Sequence, residues 1–386
     1  MKVLYISKPF FADCDFPLIK AFQQKGVDVT VLYLLAPYSL TSTLFDIKKQ
    51  IKKTTILPAT AYSELKCFEG YLDMSKVYVS NRTVSTKFSW SYLKETYLLR
   101  KFISKGKYDI VHFVDLFNLR RGMLYKMPNV FLTTIHDPIP HSDENNRSKR
   151  DLYRKKILQL YKGIILLNEK QKDEFCSTYN VNQSSVHINR LGVYECLPLF
   201  VPKSVKKNPY NVLFFGNIRP YKGLEYLCEA MKKVCQIIPQ ATLTIAGRGD
   251  LYFDIEPYLN DSVHFYNRFI SMSELAYFLK ECSICVCPYT DATQSGVIMT
   301  AFSLAVPVIA TDVGGIGEMI EVGKNGELVP SRDASTLANA IIDLLNNQEK
   351  LLEYSYNIQS EYFNGEKSWS QIAGKYIDYY QSFCSR

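Results

Sequence analysis

Ten short apolar runs, five in each half of the chain, constrain this sequence more than any other feature. In the first half they are KVLYIS (2–7), VDVTVLYLL (27–35), YDIVHFV (108–114), NVFLTTI (129–135) and GIILLN (163–168). In the second half they are NVLFFG (211–216), ATLTIAG (241–247), SVHFYN (262–267), SICVCP (283–288) and PVIATD (307–312). Short β-branched-rich runs of this kind read as strands covered on both faces, and the segments between them, 16–25 among them, are long enough for helices; that alternation gives a parallel sheet. At 386 residues the chain also exceeds what one ordinary core accommodates. The expectation is therefore an α/β protein with two doubly wound, Rossmann-like domains in tandem. The stretch LPLFVPKSVKKNPY, with three prolines and three lysines, reads as a linker, and SWSQIAGKYIDYYQSF (368–383) as an amphipathic closing helix. These signals place a first domain at 1–195, a linker at 196–209, a second domain at 210–365, and a C-terminal helix at 366–386 that packs toward the first domain.

A chain that is 47% hydrophobic and 22% charged has the makeup of a packed globular protein, which excludes wholesale disorder and fibrous repeats. No run approaches the roughly 18 apolar residues of a membrane span, and the opening MKVLYISKPFFADCD reads as a strand broken by proline and acids rather than a leader. The expected location is the cytoplasm, including the inner face of a membrane. The ten cysteines then read as reduced thiols; Cys282, Cys285 and Cys287 fall in a strand-like run, where a zinc cluster is not expected. The net charge of +8 is unevenly spread: residues 1–200 carry 30 Lys and Arg against 18 Asp and Glu, and residues 201–386 carry 16 against 20. A basic first half suits phosphates or an anionic membrane surface. No nucleic-acid-binding module is present, so nucleic acid is not an expected partner.

In doubly wound sheets ligands bind beyond the carboxyl ends of the strands, so chemistry is sought just after each run. FFGNIRPYKGLEYLCEAM (214–231) sets Gly216, Arg219, Lys222 and Gly223 between a strand and a helix. A tight glycine turn, two cations three residues apart and a helix N-terminus together suit a diphosphate; the same residues also make an ordinary basic turn. CPYTDATQSGVIMT (287–300) and ATDVGGIGEM (310–319) place small residues after two further strands, where backbone N–H groups can meet an anion. In VGKNGELVP, Gly323, Asn325 and Gly326 read as a hairpin turn.

FFGNIRPYKG, ATLTIAGRG, VHFYNRFISMSEL, CVCPYTDATQSG and AVPVIATDVGGIGEMIEVGKNGELVP, in this order, resemble the family-4 glycosyltransferases of the GT-B fold. In the first half the resemblance is carried by KVLYIS, TTIHDPIPH and LLNEKQKDEF. It implies two Rossmann-like domains facing a cleft, with sugar transfer from a nucleotide-diphosphate donor to a saccharide or lipid-linked saccharide, retention of configuration, and no cofactor or metal. Residue by residue, it makes Arg219 and Lys222 the catalytic cation pair on the donor diphosphate, beside Gly216, and His136 a catalytic contact to the donor sugar. It places Arg268 and Phe269 at the nucleobase.

Three departures qualify the match. The family's Glu-x7-Glu pair falls on Ala292 and Thr300, so neither carboxylate is present and Thr-Gln-Ser-Gly (293–296) stands there instead. Ser295 and Gly296 are then assigned to phosphate and Thr300 to ribose. Arg219 stands three residues after Gly216 instead of directly after it, and the first loop, SKPFFADCDFP, lacks a glycine pair, leaving Lys8 as the acceptor-side donor. The basic segments 47–56 and 147–163 suit a polyprenyl-linked acceptor or peripheral contact with an anionic membrane; solvated basic surface is the plainer reading. The principal reading is a retaining transferase of bacterial surface polysaccharide assembly. The alternative is a degenerate GT-B subunit that binds a partner transferase or glycan. A GT-B sugar-nucleotide epimerase would want more carboxylates and histidines than this chain, with five histidines, provides.

Overall fold

The computed structural model describes residues 1–37, 44–45, 47, 52–86, 89–115, 124, 126–139, 147–292 and 295–384, with the backbone alone described for 147–150. The chain divides into two units, Met1–Leu191 with Trp369–Arg386, and Gly192–Ser368.

The first unit is built on β1 (Lys2–Ser7), α1 (Ala12–Gln24), β2 (Asp28–Leu35), β3 (Thr55–Pro58), β4 (Val77–Asn81), α2 (Trp90–Gly106), β5 (Ile110–Val114), β6 (Val130–Ile135), α3 (Arg147–Leu158), β7 (Gly163–Leu166), α4 (Lys172–Tyr179) and β8 (Val186–Ile188). Its sheet runs β3-β4-β2-β1-β5-β6-β7-β8, parallel throughout except for β3. The order reverses between β1 and β5, because β2 lies on one side of β1 and β5 on the other. Every residue of β5 is buried, as the run of apolar positions required. The core gathers Leu4, Ile6, Leu32, Val111, Phe113 and Ile164. Helix α1 starts four residues before the 16–25 reading because it accommodates Pro17, whose missing N–H removes only one bond of the helix.

The second unit contains β9 (Asn211–Phe215), α5 (Leu224–Ile237), β10 (Thr242–Gly247), β11 (Val263–Asn267), α6 (Met272–Glu281), β12 (Ile284–Cys287), α7 (Gly296–Phe302), β13 (Val308–Thr311), β14 (Gly326–Val329), α8 (Ala334–Leu345) and α9 (Gln348–Gln359). Its sheet, β11-β10-β9-β12-β13-β14, is wholly parallel and reverses between β9 and β12. Leu224, Leu227, Met231 and Val234 of α5 recur at helical spacing and bury one stripe, shared with Leu337 and Ile341 of α8.

Four strands, β3, β4, β8 and β14, were not apparent in the sequence, since each is short or lies near a sheet edge. Residues 323–326 make a tight turn, with the Gly323 N–H donating to the Gly326 carbonyl at 3.2 Å. It is not a hairpin, because β14 leaves it parallel to β13. The proline- and lysine-rich stretch belongs with the second unit from Gly192 onward: the Asn208 N–H donates to Glu281 at 2.8 Å, and Ser283 donates to the Asn208 carbonyl at 2.9 Å.

The C-terminal helix α10 (Trp369–Cys384) is part of the first unit. Tyr380 bonds Nδ1 of His112 at 2.9 Å, Tyr376 bonds Thr134 at 3.1 Å, and Nε2 of His112 bonds Thr134 at 2.9 Å. Burial lowers His112 to about 3, so the ring stays neutral and serves each hydroxyl as donor or acceptor.

Two glycines give opposite expectations. A Cβ on Gly247 would collide with the Gly216 carbonyl, so Gly247→Ala lowers the unfolding free energy by about 1–3 kcal/mol. Gly374, inside α10, has open space around its Cβ position, and Gly374→Ala raises it by about 0.5–1 kcal/mol. Thermal denaturation of both variants measures the contrast.

Candidate active site

In the first unit, the carboxyl ends of β1, β5 and β6 bring together Lys8, Asp115 and His136. Lys8 Nζ lies 3.1 Å from Asp115 Oδ2. Asp115 has a left-handed backbone (φ 63°), and its N–H donates to the Thr134 carbonyl at 2.7 Å, which fixes the carboxylate beside β6. The His136 ring stacks on Phe11 with centroids 4.5 Å apart. Burial holds His136 below its usual range; Asp137 and Asp115 pull it upward and Lys8 pulls it down. A neutral imidazole in that position can exchange hydrogen bonds with a sugar hydroxyl and is a poor acid at neutral pH. Lys8, assigned to the acceptor from sequence, therefore arrives already paired with a carboxylate.

In the second unit, the loop after β9 is fastened backbone to backbone. Gly216 and Ile218 donate to the carbonyls of Ala246 and Arg248 at 3.0 and 2.9 Å, and Thr290 donates to Tyr221 at 2.8 Å. Gly216 (φ 119°) and Gly223 (φ 62°) occupy conformations that L side chains resist, and a Cβ on Gly223 would strike the Pro288 carbonyl. On this fixed frame Arg219 is exposed and Lys222 half-buried. The Lys222 ammonium sits 3.7 Å from the centre of the Tyr289 ring. Burial is the main reason its pKa drops to about 8, with the Cys287 thiol beneath it pulling the other way. Neither Arg219 nor Lys222 has an acidic partner among the described residues.

Tyr289 is the residue the sequence reading missed. It is fully buried, carries Lys222 on its face, and places its hydroxyl 3.3 Å from Ser295 Oγ. Its carbonyl accepts from Ser331 at 3.2 Å and from Thr311. One side chain thus joins the basic loop to the start of α7. The only sequence signal was its place two residues after Cys287, where a strand end meets a loop.

The assignments around α7 change in detail. Ser295 caps the helix through the Ile298 N–H at 3.4 Å, and its own N–H donates to Met319 Sδ at 3.3 Å. Its N–H is spent within the fold while its hydroxyl is shared between the cap and Tyr289, so the N–H groups of Gly296 and Val297 are the main-chain donors this helix start offers an anion. Thr300 donates to the Gly296 carbonyl at 2.7 Å, which leaves its oxygen only as an acceptor for a ribose. Thr293 and Gln294, of the Thr-Gln-Ser-Gly signature, lie outside the described residues.

Arg268 is likewise committed: it pairs with Glu274 at 2.6 Å and donates to the Phe269 carbonyl at 3.1 Å. The same Glu274 completes a capping box with Ser271 at the start of α6, so this arginine orders the loop after β11. Phe269 is 54% exposed, with the Arg248 guanidinium 5.9 Å from its ring centre. A base meeting this loop finds an aromatic face and main chain rather than a free guanidinium.

Two family descriptions match the chain, Glycosyltransferase Family 4 over residues 17–194 and Glycosyl transferases group 1 over residues 209–347. The chain belongs to the family-4 glycosyltransferases. An uncharacterised glycosyltransferase of Methanocaldococcus jannaschii is 30% identical over 162 residues, covering 41% of this chain and 44% of that protein, so the match spans less than half the relative's length. The UDP-Gal:alpha-D-GlcNAc-diphosphoundecaprenol alpha-1,3-galactosyltransferase of Escherichia coli is 22% identical over 314 residues, 74% of this chain and 79% of that one. The crystal structure of Anabaena HepE in complex with UDP superposes with a TM-score of 0.65 at 16% identity, covering 99% of this chain and 100% of that one. That likeness, with the two parallel sheets, makes the fold GT-B.

The Tyr289 platform can be tested without any ligand. Observed by NMR of labelled lysine, Lys222 titrates near pH 8, and Tyr289→Leu lowers that value by about 0.5–1.5 pH units, because the ring face favours the ammonium. Titration in the ordinary lysine range, near 10.4, contradicts the burial that sets it.

Proposed function

We propose that the protein is a retaining glycosyltransferase that takes a hexosyl group from UDP-sugar, without a metal, and passes it to a saccharide or lipid-linked saccharide in bacterial surface polysaccharide assembly. The observation that carries the reading is the contrast among cations: Lys8 and Arg268 are neutralised by Asp115 and Glu274, whereas Arg219 and Lys222 meet no acid among the described residues. Two unneutralised cations on a rigid loop at the carboxyl end of β9 suit a dianionic leaving group. UDP is favoured because HepE was solved with it and the Escherichia coli relative is named for UDP-Gal. The second of these also supports a polyprenyl-diphosphate-linked acceptor.

In the reaction, the bond between sugar C1 and the β-phosphate oxygen breaks as the acceptor oxygen bonds C1 on the same face. The acceptor proton passes to the departing phosphate. Negative charge grows on the diphosphate during that step, so Arg219 and Lys222 lower the barrier, since fixed donors act most strongly where charge develops. Neutral His136 contacts a donor-sugar hydroxyl and keeps the ring oriented. Exposed Phe269 and the adjoining main chain receive uracil, and Gly296 with the Gly216 turn permits close approach of the phosphates.

One observation favours the alternative of a degenerate binding subunit: Ala292 and Thr300 occupy the positions of the family's carboxylates, and the Thr300 hydroxyl donates its proton within α7. The two readings separate in one experiment. A transferase is stabilised by UDP, by about 2.7 kcal/mol at a hundredfold excess over Kd. It also turns over, and Arg219→Ala or Lys222→Ala each cut kcat/KM by roughly 10–1000-fold with the fold intact. His136→Ala reduces transfer more than UDP binding. Undiminished transfer in both cation variants contradicts the clamp; UDP binding with no transfer to any lipid-linked acceptor favours the subunit.

A further inference from the structure

We propose that the outer face of α2 is the surface by which this protein lies on an anionic lipid bilayer. The proposal rests on the lipid-linked acceptor proposed above for where it matters, and on α2 alone for its evidence. The orientation of the helix is fixed from inside: Tyr92, Glu95, Thr96, Leu99 and Ile103 are buried, and Glu95 is ion-paired with Arg82 at 3.3 Å and accepts from Ser80 at 3.2 Å. What remains outside is a stripe of large apolar side chains, with Trp90 87%, Leu93 59% and Tyr97 64% exposed. At spacings of three and four residues these fall on one side of the helix and extend along it for about 10 Å.

Cations border the stripe. Lys94, Arg100, Lys101 and Lys105 are all exposed and project from the same half of the helix, while Glu95, the helix's one acid, is turned into the core. The face therefore has no negative charge of its own. Tryptophan and tyrosine settle at the headgroup level of a bilayer, and neighbouring lysines and arginines are drawn to anionic lipid. A protein partner fits less well, because lysine is depleted at protein interfaces while four basic side chains here crowd the apolar stripe. Among the described residues no helix is long and apolar enough to cross a membrane, so this contact lies in the interface plane.

The chain supplies its own reporter. It has two tryptophans, exposed Trp90 and Trp369, which is 5% exposed. Mixing the whole protein with phosphatidylglycerol–phosphatidylcholine vesicles should shift the tryptophan emission to the blue, and the protein should float with them. Pure phosphatidylcholine vesicles should do neither. Trp369→Phe should retain the shift and Trp90→Phe lose it. Leu93→Ser with Tyr97→Ser, and separately Lys94→Glu with Lys101→Glu, should each weaken vesicle binding at least tenfold. All these positions are solvent-facing apart from Trp369, so circular dichroism and UDP binding should match wild type, which separates failure of this surface from failure of the transferase reading. Absence of vesicle binding, binding indifferent to the α2 variants, or a shift that follows Trp369 overturns the proposal.

Discussion

The candidate site depends on the close approach of three backbone segments at one end of the second sheet. Gly247 lies against the Gly216 carbonyl, Gly249 against that of Ile218, and Gly223 against that of Pro288, at distances no Cβ tolerates. Glycine at these positions lets the loop after β9 lock onto the ends of β10 and β12, and the hydrogen bonds from Gly216, Ile218 and Thr290 hold it there. A loop so fixed can present Arg219 and Lys222 in one arrangement before any ligand arrives. Preorganised charge is worth more than mobile charge, since no reorganisation is required when the leaving group develops its negative charge.

Both sheets place their chemistry at the same topological feature. Where strand order reverses, the connections from neighbouring strands run to opposite faces and leave a crevice at the carboxyl edge. In the first unit this occurs between β1 and β5, where Lys8 meets Asp115; in the second it occurs between β9 and β12, where Lys222 meets Tyr289. The electrostatics of the two differ. The first pairs its lysine with a carboxylate and holds a neutral histidine, and the second carries cations with Lys222 half-buried on an aromatic face. The first offers neutral hydrogen-bonding groups and the second positive charge, as the proposed sugar and diphosphate contacts require.

The strands around each reversal were legible because burial on both faces forces continuous apolar runs, and all ten runs are strands within a residue or two of the expected bounds. The rest was illegible for local reasons. Four residues such as Thr55–Pro58 or Gly326–Val329 carry too little periodicity to mark a strand. The partners of Arg268 and Lys8 lie six and 107 residues away, and neither spacing announces an ion pair. Pairing of α10 to the first sheet through Tyr376, Tyr380 and His112 likewise joins residues more than 240 positions apart. Tyr289 was passed over because an aromatic after a strand usually belongs to the core, and here the core residue also carries the cation.

Everything in the proposed reaction turns on the loop after β9 acting as a diphosphate clamp. A crystal structure with UDP bound tests it most directly. The two phosphates should lie between Arg219 and Lys222, over the Gly216 turn, with Lys222 still seated on Tyr289 and uracil against the Phe269 loop. Phosphates bound elsewhere, or a nucleotide held with neither cation in contact, would contradict it.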